Sequence, residues 1–342
     1  MCKARSSVLV CLLAACSLPG RGSATPIPVL NLHALVDAAD IIVAGKIKAV
    51  THTGETLITF NGYVMSAQIM VVQMHVDRII KGRPDTDIEF QVLYPAQGMG
   101  YRGVPNNSYR VVLLKYASGH LEPVSPYYPL FPAVPDNAVG GENPFDAVVG
   151  EIAAVLRSPT ASAGDKTAAI WDGLRWDLRT LGTGALKEAL RFAAAEDRDL
   201  DVRMSAVVAL LVQNDISVLP LAEQELSDPD SQLPDNSRLN LSSAIDEGVK
   251  GDAAVPALTR LLKNPDVRVR RAAAMALRNT KTKLAMDGLT LALEDGDAKV
   301  KYYAVIGLAE ITGETEWRPS EEMFRANEGR YLRHWKSRLS LH

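Results

Sequence analysis

The side chains that carry most enzyme chemistry are few in this chain and do not stand at productive spacings. All three cysteines, Cys2, Cys11 and Cys16, lie close to the N-terminus. No two of the six histidines are separated by the four residues that place metal ligands on one helical face. The metalloprotease, nucleophile-elbow and phosphate-loop motifs do not occur. The sequence therefore predicts a protein that is not an enzyme and binds no cofactor or metal.

One alternative is a metal site in which His52 and His75 converge across neighbouring strands with Asp77. An isolated histidine on a strand is more often a surface residue or a hydrogen-bonded core residue than a ligand. We therefore do not assign metal ligands to these positions.

The first 24 residues have the pattern of a secretory signal peptide. Lys3 and Arg5 precede a short apolar run that ends at Ala15. Ordinary cleavage would follow Ala24, whereas the residues around Cys16 resemble a bacterial lipobox and make Cys16 a candidate lipidation site. We expect export to the periplasm, the cell envelope or the extracellular space, with membrane attachment only through that lipid.

A chain of 342 residues exceeds the usual size of a single hydrophobic core and predicts two domains. In residues 25–125, a short amphipathic helix at 30–39 precedes segments rich in Val, Ile, Tyr and Phe. The predicted strands are residues 41–50, 66–80, 88–94, 109–116 and 121–124. Five strands separated by turns favour a small OB-like β barrel or sandwich.

Prolines concentrate after this region, and we assign residues 126–144 to a Pro-rich linker. Its aromatic side chains are Tyr127, Tyr128 and Phe131. They either form a ligand-binding stripe or pack the linker onto a neighbouring domain, and we favour packing.

From residue 145 onward one pattern recurs. Val202, Val269 and Val300 are each followed by a basic residue, by alanine at position +4 and by leucine at position +8. Two weaker copies begin at Lys166 and Ser237, so the five starts are 36, 35, 32 and 31 residues apart. An apolar helical segment precedes each start. Helix pairs at a fixed period predict an α-solenoid of about five hairpins.

Two of these segments, NPDVRVRRAAAMAL and DGDAKVKYYAVIGL, resemble the short HEAT-like repeats of phycobilisome lyases. The resemblance covers residues 145–313 and implies a solenoid. It also offers an alternative function, a bilin-lyase-like enzyme, against which export and a solenoid without cysteine both count. A secreted OB-like inhibitor of the netrin and metalloproteinase-inhibitor class is a further alternative, but its N-terminal cysteine and disulfides are missing from the predicted mature domain.

Aspartates stand just before the second helix of three hairpins and are predicted N-caps, each four residues before a cation with which it can pair. They are Asp199, Asp266 and Asp297. Residues 314–342 are predicted to form a helix that closes the solenoid, with Ser320 as its N-cap. Its apolar face would consist of Phe324, Tyr331, Trp335 and Leu339.

Basic residues concentrate in the fourth repeat, after an acidic stretch in the repeats before it. The candidate partner-binding residues are Arg268, Arg271, Arg278, Lys281 and Lys283. The alternative is a solvated face without a partner. Nucleic acid is an unfavourable partner, because the leader exports the chain and no aromatic residues interleave with the bases. The sequence predicts a non-enzymatic binding or scaffolding protein whose partner is a protein or an anionic envelope component.

Overall fold

The computed structural model describes residues 32–60, 63–95, 103–117, 119–125, 130–135, 141–175 and 184–339. The predicted signal peptide, the candidate lipidation site Cys16 and the linker residues Tyr127 and Tyr128 lie outside these ranges. The chain divides into two compact units, Met1–Phe192 and Ala193–His342.

Six antiparallel strands form the sheet of the first unit. They are β1 (Ile41–Phe60), β2 (Tyr63–Lys81), β3 (Asp87–Pro95), β4 (Tyr109–Ala117), β5 (His120–Pro123) and β6 (Leu130–Pro132). The strand order is β3-β2-β1-β4-β5, and β6 pairs with β4. Because β3 also contacts β5 at the other end of this order, the sheet curls back on itself. The predicted β-rich N-terminal fold is confirmed.

The core of this unit consists of side chains that alternate along the strands, among them Ile47, Val72, Phe90 and Val112. Phe131 is also buried and stands opposite Val111 in the pairing of β6 with β4. The segment predicted to be a linker therefore contains a strand. Its prolines do not prevent this, since a proline at the end of a short strand removes no required ladder bond.

Three helices belong to the same unit: α1 (Leu32–Ala38), α2 (Pro144–Arg157) and α3 (Ala163–Arg175). Helix α2 contacts α1, β2 and β6, and α3 contacts β6. Arg78 of β2 donates from Nε to Glu151 of α2 over 2.7 Å, and the Glu151 side chain is only 2% exposed. The sequence placed the start of the solenoid at residue 145, whereas the unit boundary lies after residue 192, because this pair and the apolar face of α2 tie the helix to the sheet.

Helix α4 (Gly184–Glu196) includes the boundary between the two units. The helices that follow are α5 (Leu200–Val212), α6 (Leu219–Ser227), α7 (Asp235–Gly248), α8 (Val255–Leu261), α9 (Val267–Thr280), α10 (Met286–Ala292), α11 (Ala298–Thr312), α12 (Glu321–Ala326) and α13 (Glu328–Leu339). The second helices of successive hairpins, α5, α7, α9 and α11, pack side by side, and so do the first helices, α6, α8 and α10. This is the stacking predicted for a HEAT-like solenoid.

Small side chains let the second helices approach closely. Ala273 and Leu277, the +4 and +8 residues of the fourth repeat, are fully buried. A Cβ atom at Gly248 of α7 would overlap the carbonyl oxygen of Leu211 in α5. The solenoid therefore depends on residues too small to hold neighbouring helices apart.

At the end of the chain, α13 packs against α10, α11 and α12. Phe324, Tyr331 and Trp335 are buried, and the Ser320 hydroxyl accepts a hydrogen bond from Met323 N, as the predicted N-cap requires. The side chain of Leu339 lies outside the described part of the chain. None of the helices in the described ranges is long and apolar enough to span a membrane.

Candidate functional site

Two of the predicted binding residues, Arg268 and Arg271, pair with the aspartates that cap the second helices. Arg268 Nη2 lies 2.8 Å from Asp266 Oδ2, within the same repeat. Arg271 Nη2 lies 2.6 Å from Asp297 Oδ2, at the start of the next second helix. The hydrogen bond from Arg271 lowers the pKa of Asp297 to about 2. The charges of both arginines are therefore matched within the solenoid.

Arg278, near the end of α9, is also paired. Its Nη2 atom lies 2.7 Å from Glu310 Oε1 on α11, and Arg318 Nε approaches the same carboxylate at 2.6 Å. Arg278 Nη1 also contacts Met275 Sδ at 3.4 Å. This arginine joins two neighbouring repeats, and a partner would have to share it with Glu310.

The remaining two predicted binding residues are exposed lysines. Lys281 ends α9 in a left-handed conformation with φ of 55°, and Lys283 begins the short 3-10 turn before α10. Neither lysine forms an ion pair with a residue that the structure describes. Leu284 beside them is 61% exposed. Unlike the three arginines, these lysines therefore have no carboxylate partner among the described residues.

The predicted capping aspartates are confirmed as N-caps, since each accepts hydrogen bonds from backbone amides of the following turn: Asp199, Asp266 and Asp297. The predicted pairs with the cations four residues later do not form. Arg270 Nε donates instead to Asp295 over 2.8 Å, and Lys301 pairs with Glu328. The carboxylates of Asp266 and Asp297 are engaged by backbone amides and by Arg268 and Arg271. Arg203 donates instead to the backbone carbonyls of Asp197 and Arg198.

A mixed aromatic and charged surface, which the sequence analysis missed, lies beside these ion pairs. We call it the tyrosine face; it consists of half-buried or exposed side chains from α7, α9 and α11, namely Asp246, Arg271, Met275, Arg278, Lys299, Tyr302 and Tyr303. The rings of Tyr302 and Tyr303 lie 5.8 Å apart. Lys299 Nζ is 5.4 Å and 5.3 Å from their centroids, within the range of a cation-π interaction.

Tyr302 also borders a small cavity of about 110 Å³ between α9, α11 and α12. The cavity is lined by Arg271, Asp297, Ala298, Lys299, Tyr302, Glu321, Phe324 and Arg325. Phe324 forms its apolar side, with its ring 5.6 Å from that of Tyr302. Most of the other lining residues are charged, so the opening combines an apolar wall with hydrogen-bonding groups.

Asp246 places a partly desolvated carboxylate on the tyrosine face. Burial raises its pKa to about 6, against the opposing charge of Arg278. Burial and the charge of Asp246 also raise the pKa of Glu247, and burial raises that of Tyr303. Such groups gain from hydrogen bonds that a partner can supply.

One sequence signal could have pointed to this face. Tyr302 and Tyr303 occupy positions +2 and +3 of their repeat, where the two other strong copies have Met204 with Ser205 and Arg271 with Ala272. The other copies have the buried residues Met204, Ser205 and Ala272 and the exposed Arg271 at these positions, so a pair of half-buried aromatic residues there is a departure from the repeat. Such departures mark surfaces that differ between repeats.

The histidines considered as metal ligands are not brought together. His52 stands opposite Met70 in the β1-β2 pairing, and His75 stands opposite Lys46. His75 Nδ1 lies 2.8 Å from Asp87 Oδ1, on the neighbouring strand. Within the described ranges, no group of three or more histidine, cysteine or acidic side chains is arranged to hold a metal ion.

The repeat architecture also agrees with comparison to known proteins. Residues 220–309, from α6 into α11, match the family model described as HEAT repeats. This segment is a HEAT-like repeat array. No curated protein matches the chain.

Two solved structures resemble the chain. One is the complex of CpcE and CpcF of phycocyanin lyase from Nostoc sp. PCC7120, with 20% identity, a TM-score of 0.38, and coverage of 54% of this chain and 70% of that chain. The other is YibA of E. coli, with 21% identity, a TM-score of 0.33, and coverage of 46% of this chain and 57% of that chain.

Proposed function

We propose that this chain is a non-enzymatic protein-binding or scaffolding protein of the cell envelope or secreted space, and that its HEAT-like repeats supply the binding surface. The observation that carries the proposal is the tyrosine face. It places aromatic, arginine and methionine side chains on consecutive second helices that are locked together by ion pairs.

The composition of this face is that of a protein interface. Tyrosine, arginine and methionine are enriched in interface cores, and tyrosine and arginine dominate binding hot spots. Tyr302 and Tyr303 lose little conformational entropy on binding, because the neighbouring helix and Lys299 already restrict them. A rigid stack with a fixed set of anchors binds without first having to reorganise.

The exposed lysines favour an anionic partner surface. Lys281 and Lys283 stand close together after α9, with charge that no described carboxylate offsets. Such charges increase association rates and set orientation more than they increase affinity. Together with the predicted leader, they support a protein or an anionic envelope component as the partner.

Photo-crosslinking tests the proposal. A photoreactive amino acid at position 303 should crosslink a discrete partner in intact cells, whereas the same amino acid at Tyr116 of β4, which is more exposed than Tyr303, should not. Tyr302→Ala with Tyr303→Ala should weaken binding of that partner at least roughly tenfold, since each buried interface tyrosine commonly contributes more than 1 kcal/mol. Binding that is unchanged in a folded double variant would refute the proposal.

A further inference from the structure

The carboxylate of Asp246, on the tyrosine face, has no hydrogen-bond donor of its own. The side chain is half-buried, and no group in the described part of the chain donates a hydrogen bond to its carboxylate. Asn279 Nδ2 donates over 3.1 Å to the main-chain carbonyl of Asp246 and not to the side chain. A carboxylate that is partly withdrawn from water without a donor lowers stability, so its presence calls for an explanation.

The cation whose charge acts on Asp246, Arg278, is committed to other groups. Arg278 donates from Nε and Nη2 to Glu310 over 2.9 Å and 2.7 Å, and its Nη1 atom contacts Met275 Sδ at 3.4 Å. All three guanidinium nitrogens therefore have partners other than Asp246. The charge of Arg278 opposes the effect of burial on the pKa of Asp246 without cancelling it.

The repeat pattern shows why the chain itself leaves Asp246 unpaired. Asp246 and Arg278 stand at the same position of successive repeats, nine residues after Ser237 and Val269. Arg278 pairs with the repeat that follows it. In the repeat before Asp246, the same position holds Leu211, which is fully buried and offers no donor from its side chain. The row of charges on the second helices therefore ends at a carboxylate for which no neighbouring repeat supplies a cation.

The two charges at this end of α7 are both negative, and neither is paired within the described ranges. Glu247, next to Asp246, is exposed and forms no ion pair with a residue that the structure describes. The cations of the tyrosine face, by contrast, are paired with carboxylates: Arg271, Arg278 and Lys299. A surface that is complementary to the end of α7 therefore carries positive charge.

An arginine side chain fits Asp246 better than a lysine does. Burial and the charge of Asp246 raise the pKa of Tyr303, so the carboxylate acts on an aromatic neighbour, and Met275 lies on the same face. A guanidinium is planar and more weakly hydrated than an ammonium group. It can donate two parallel hydrogen bonds to one carboxylate and pack flat on an aromatic surface. These properties match a half-buried carboxylate near a ring and a thioether.

We propose that the partner bound at the tyrosine face places an arginine side chain against Asp246, with the guanidinium paired to that carboxylate and Glu247 adding to the attraction. This inference rests on the proposed function and names the charge that its partner carries at this point. Lys281 and Lys283, beyond the end of α9, attract the opposite charge. The basic and acidic groups of the partner therefore lie in a fixed order, which sets its orientation on the solenoid.

A blocked amino acid tests the site without the partner. N-acetyl-arginine amide, added to the full chain at about pH 7.5, where Asp246 is ionised, should shift the methyl NMR signal of Met275 in a saturable way. Asp246→Asn should weaken this binding at least about tenfold, whereas Asp252→Asn, at an exposed position before α8, should leave it unchanged. N-acetyl-lysine amide should bind at least about threefold more weakly, because it cannot form two parallel hydrogen bonds.

A second measurement uses the partner that photo-crosslinking identifies. Asp246→Asn should weaken its binding at least about tenfold, and Glu247→Gln should weaken it less, because Glu247 is exposed. Asparagine removes an unpaired carboxylate and does not disturb the fold, so unfolding does not account for the loss. Thermal unfolding of both variants is the control.

Three results would overturn the inference. One is a wild-type chain whose Met275 signal does not move at about 100 mM N-acetyl-arginine amide, a concentration at which even a very weak specific contact is populated. Another is binding of the arginine amide that Asp246→Asn leaves unchanged, or that the lysine amide equals. The third is a crosslinked partner that the Asp246→Asn variant binds as tightly as wild type. That third result would leave the proposed function standing, whereas binding of the amide without any crosslinked partner would contradict the proposed function alone.

Discussion

The two units of this chain are stabilised by contacts of different reach along the sequence. In the first unit, Arg78 pairs with Glu151 across 73 residues and Arg110 with Asp165 across 55 residues. In the second unit, the corresponding pairs join adjacent repeats, 25, 26 and 32 residues apart: Arg270 with Asp295, Arg271 with Asp297, and Arg278 with Glu310. A defect in the sheet unit therefore removes a contact between remote segments, whereas a defect in the repeats affects mainly the neighbouring hairpins.

Glu151→Ala should cause the largest loss of stability, and that loss should affect the sheet unit as a whole. It leaves the guanidinium of Arg78 largely buried without its carboxylate, which costs about 3 to 5 kcal/mol. Thermal unfolding followed by circular dichroism in the β region should show a much lower midpoint. Glu122→Ala breaks the more exposed pair with Lys115 and should cost less than about 1 kcal/mol. Equal losses in the two variants would contradict the anchoring role of Glu151.

Gly248→Ala should disturb the repeat unit locally. The added methyl group overlaps the main chain at Leu211, so α5 and α7 must separate, at a cost of roughly 1 to 3 kcal/mol. Hydrogen exchange should increase in these two helices and stay unchanged in α11. Gly296→Ala is the control, since a Cβ atom at Gly296 meets nothing within 4 Å. Uniform loss of protection across the second unit would show that it is not an additive stack.

Asp246→Asn should stabilise the repeat unit at pH 7 and have little effect near pH 4. Folding raises the pKa of Asp246 from 3.8 to about 6. The folded state therefore favours the protonated carboxyl of Asp246. The stability that this protonation supplies is fully present below about pH 4 and is lost as the pH rises through 6. An asparagine side chain does not titrate, so the variant should gain roughly 1 kcal/mol in free energy of unfolding at pH 7, after allowance for solvent screening.

Chemical denaturation at the two pH values measures this difference. Asp252→Asn, at an exposed position before α8, is the control variant. A gain of equal size at both pH values would show that titration of Asp246 is not its cause.

Lys281→Glu combined with Lys283→Glu should have the smallest effect on folding, less than about 1 kcal/mol, because both side chains are exposed. Binding of the partner identified by crosslinking should weaken and should depend less on salt concentration, because these charges supply a long-range attraction that salt screens. Lys250→Glu with Lys263→Glu makes the same charge change at two other exposed positions. Equal losses in both double variants would indicate a general effect of charge.

The periodic half of the fold could be predicted because its determinants are local. Each helix pair repeats the same apolar spacing, and the cap carboxylates of Asp199, Asp266 and Asp297 bond amides only two or three residues away. The five principal strands likewise follow from residue type and turn chemistry. Strands β1 and β2 were predicted too short, because both extend into sequence with few buried residues.

The partner of each charge was not predictable. The sequence showed five basic residues as one candidate surface, but the structure matches Arg268, Arg271 and Arg278 with carboxylates and leaves only Lys281 and Lys283 in solvent without one. Which carboxylate each arginine reaches depends on the offset between neighbouring helices, which no residue specifies alone.

The sequence by itself determined a β-rich segment followed by capped helical hairpins, because hydrogen bonding within a turn and the period of apolar residues are properties of short segments. Tertiary structure alone decided that α2 belongs with the sheet, that Phe131 enters it, and that Asp246 is desolvated beside Tyr303. Burial and ion pairing depend on what lies across a packed surface, and residues far apart in the chain supply that surface.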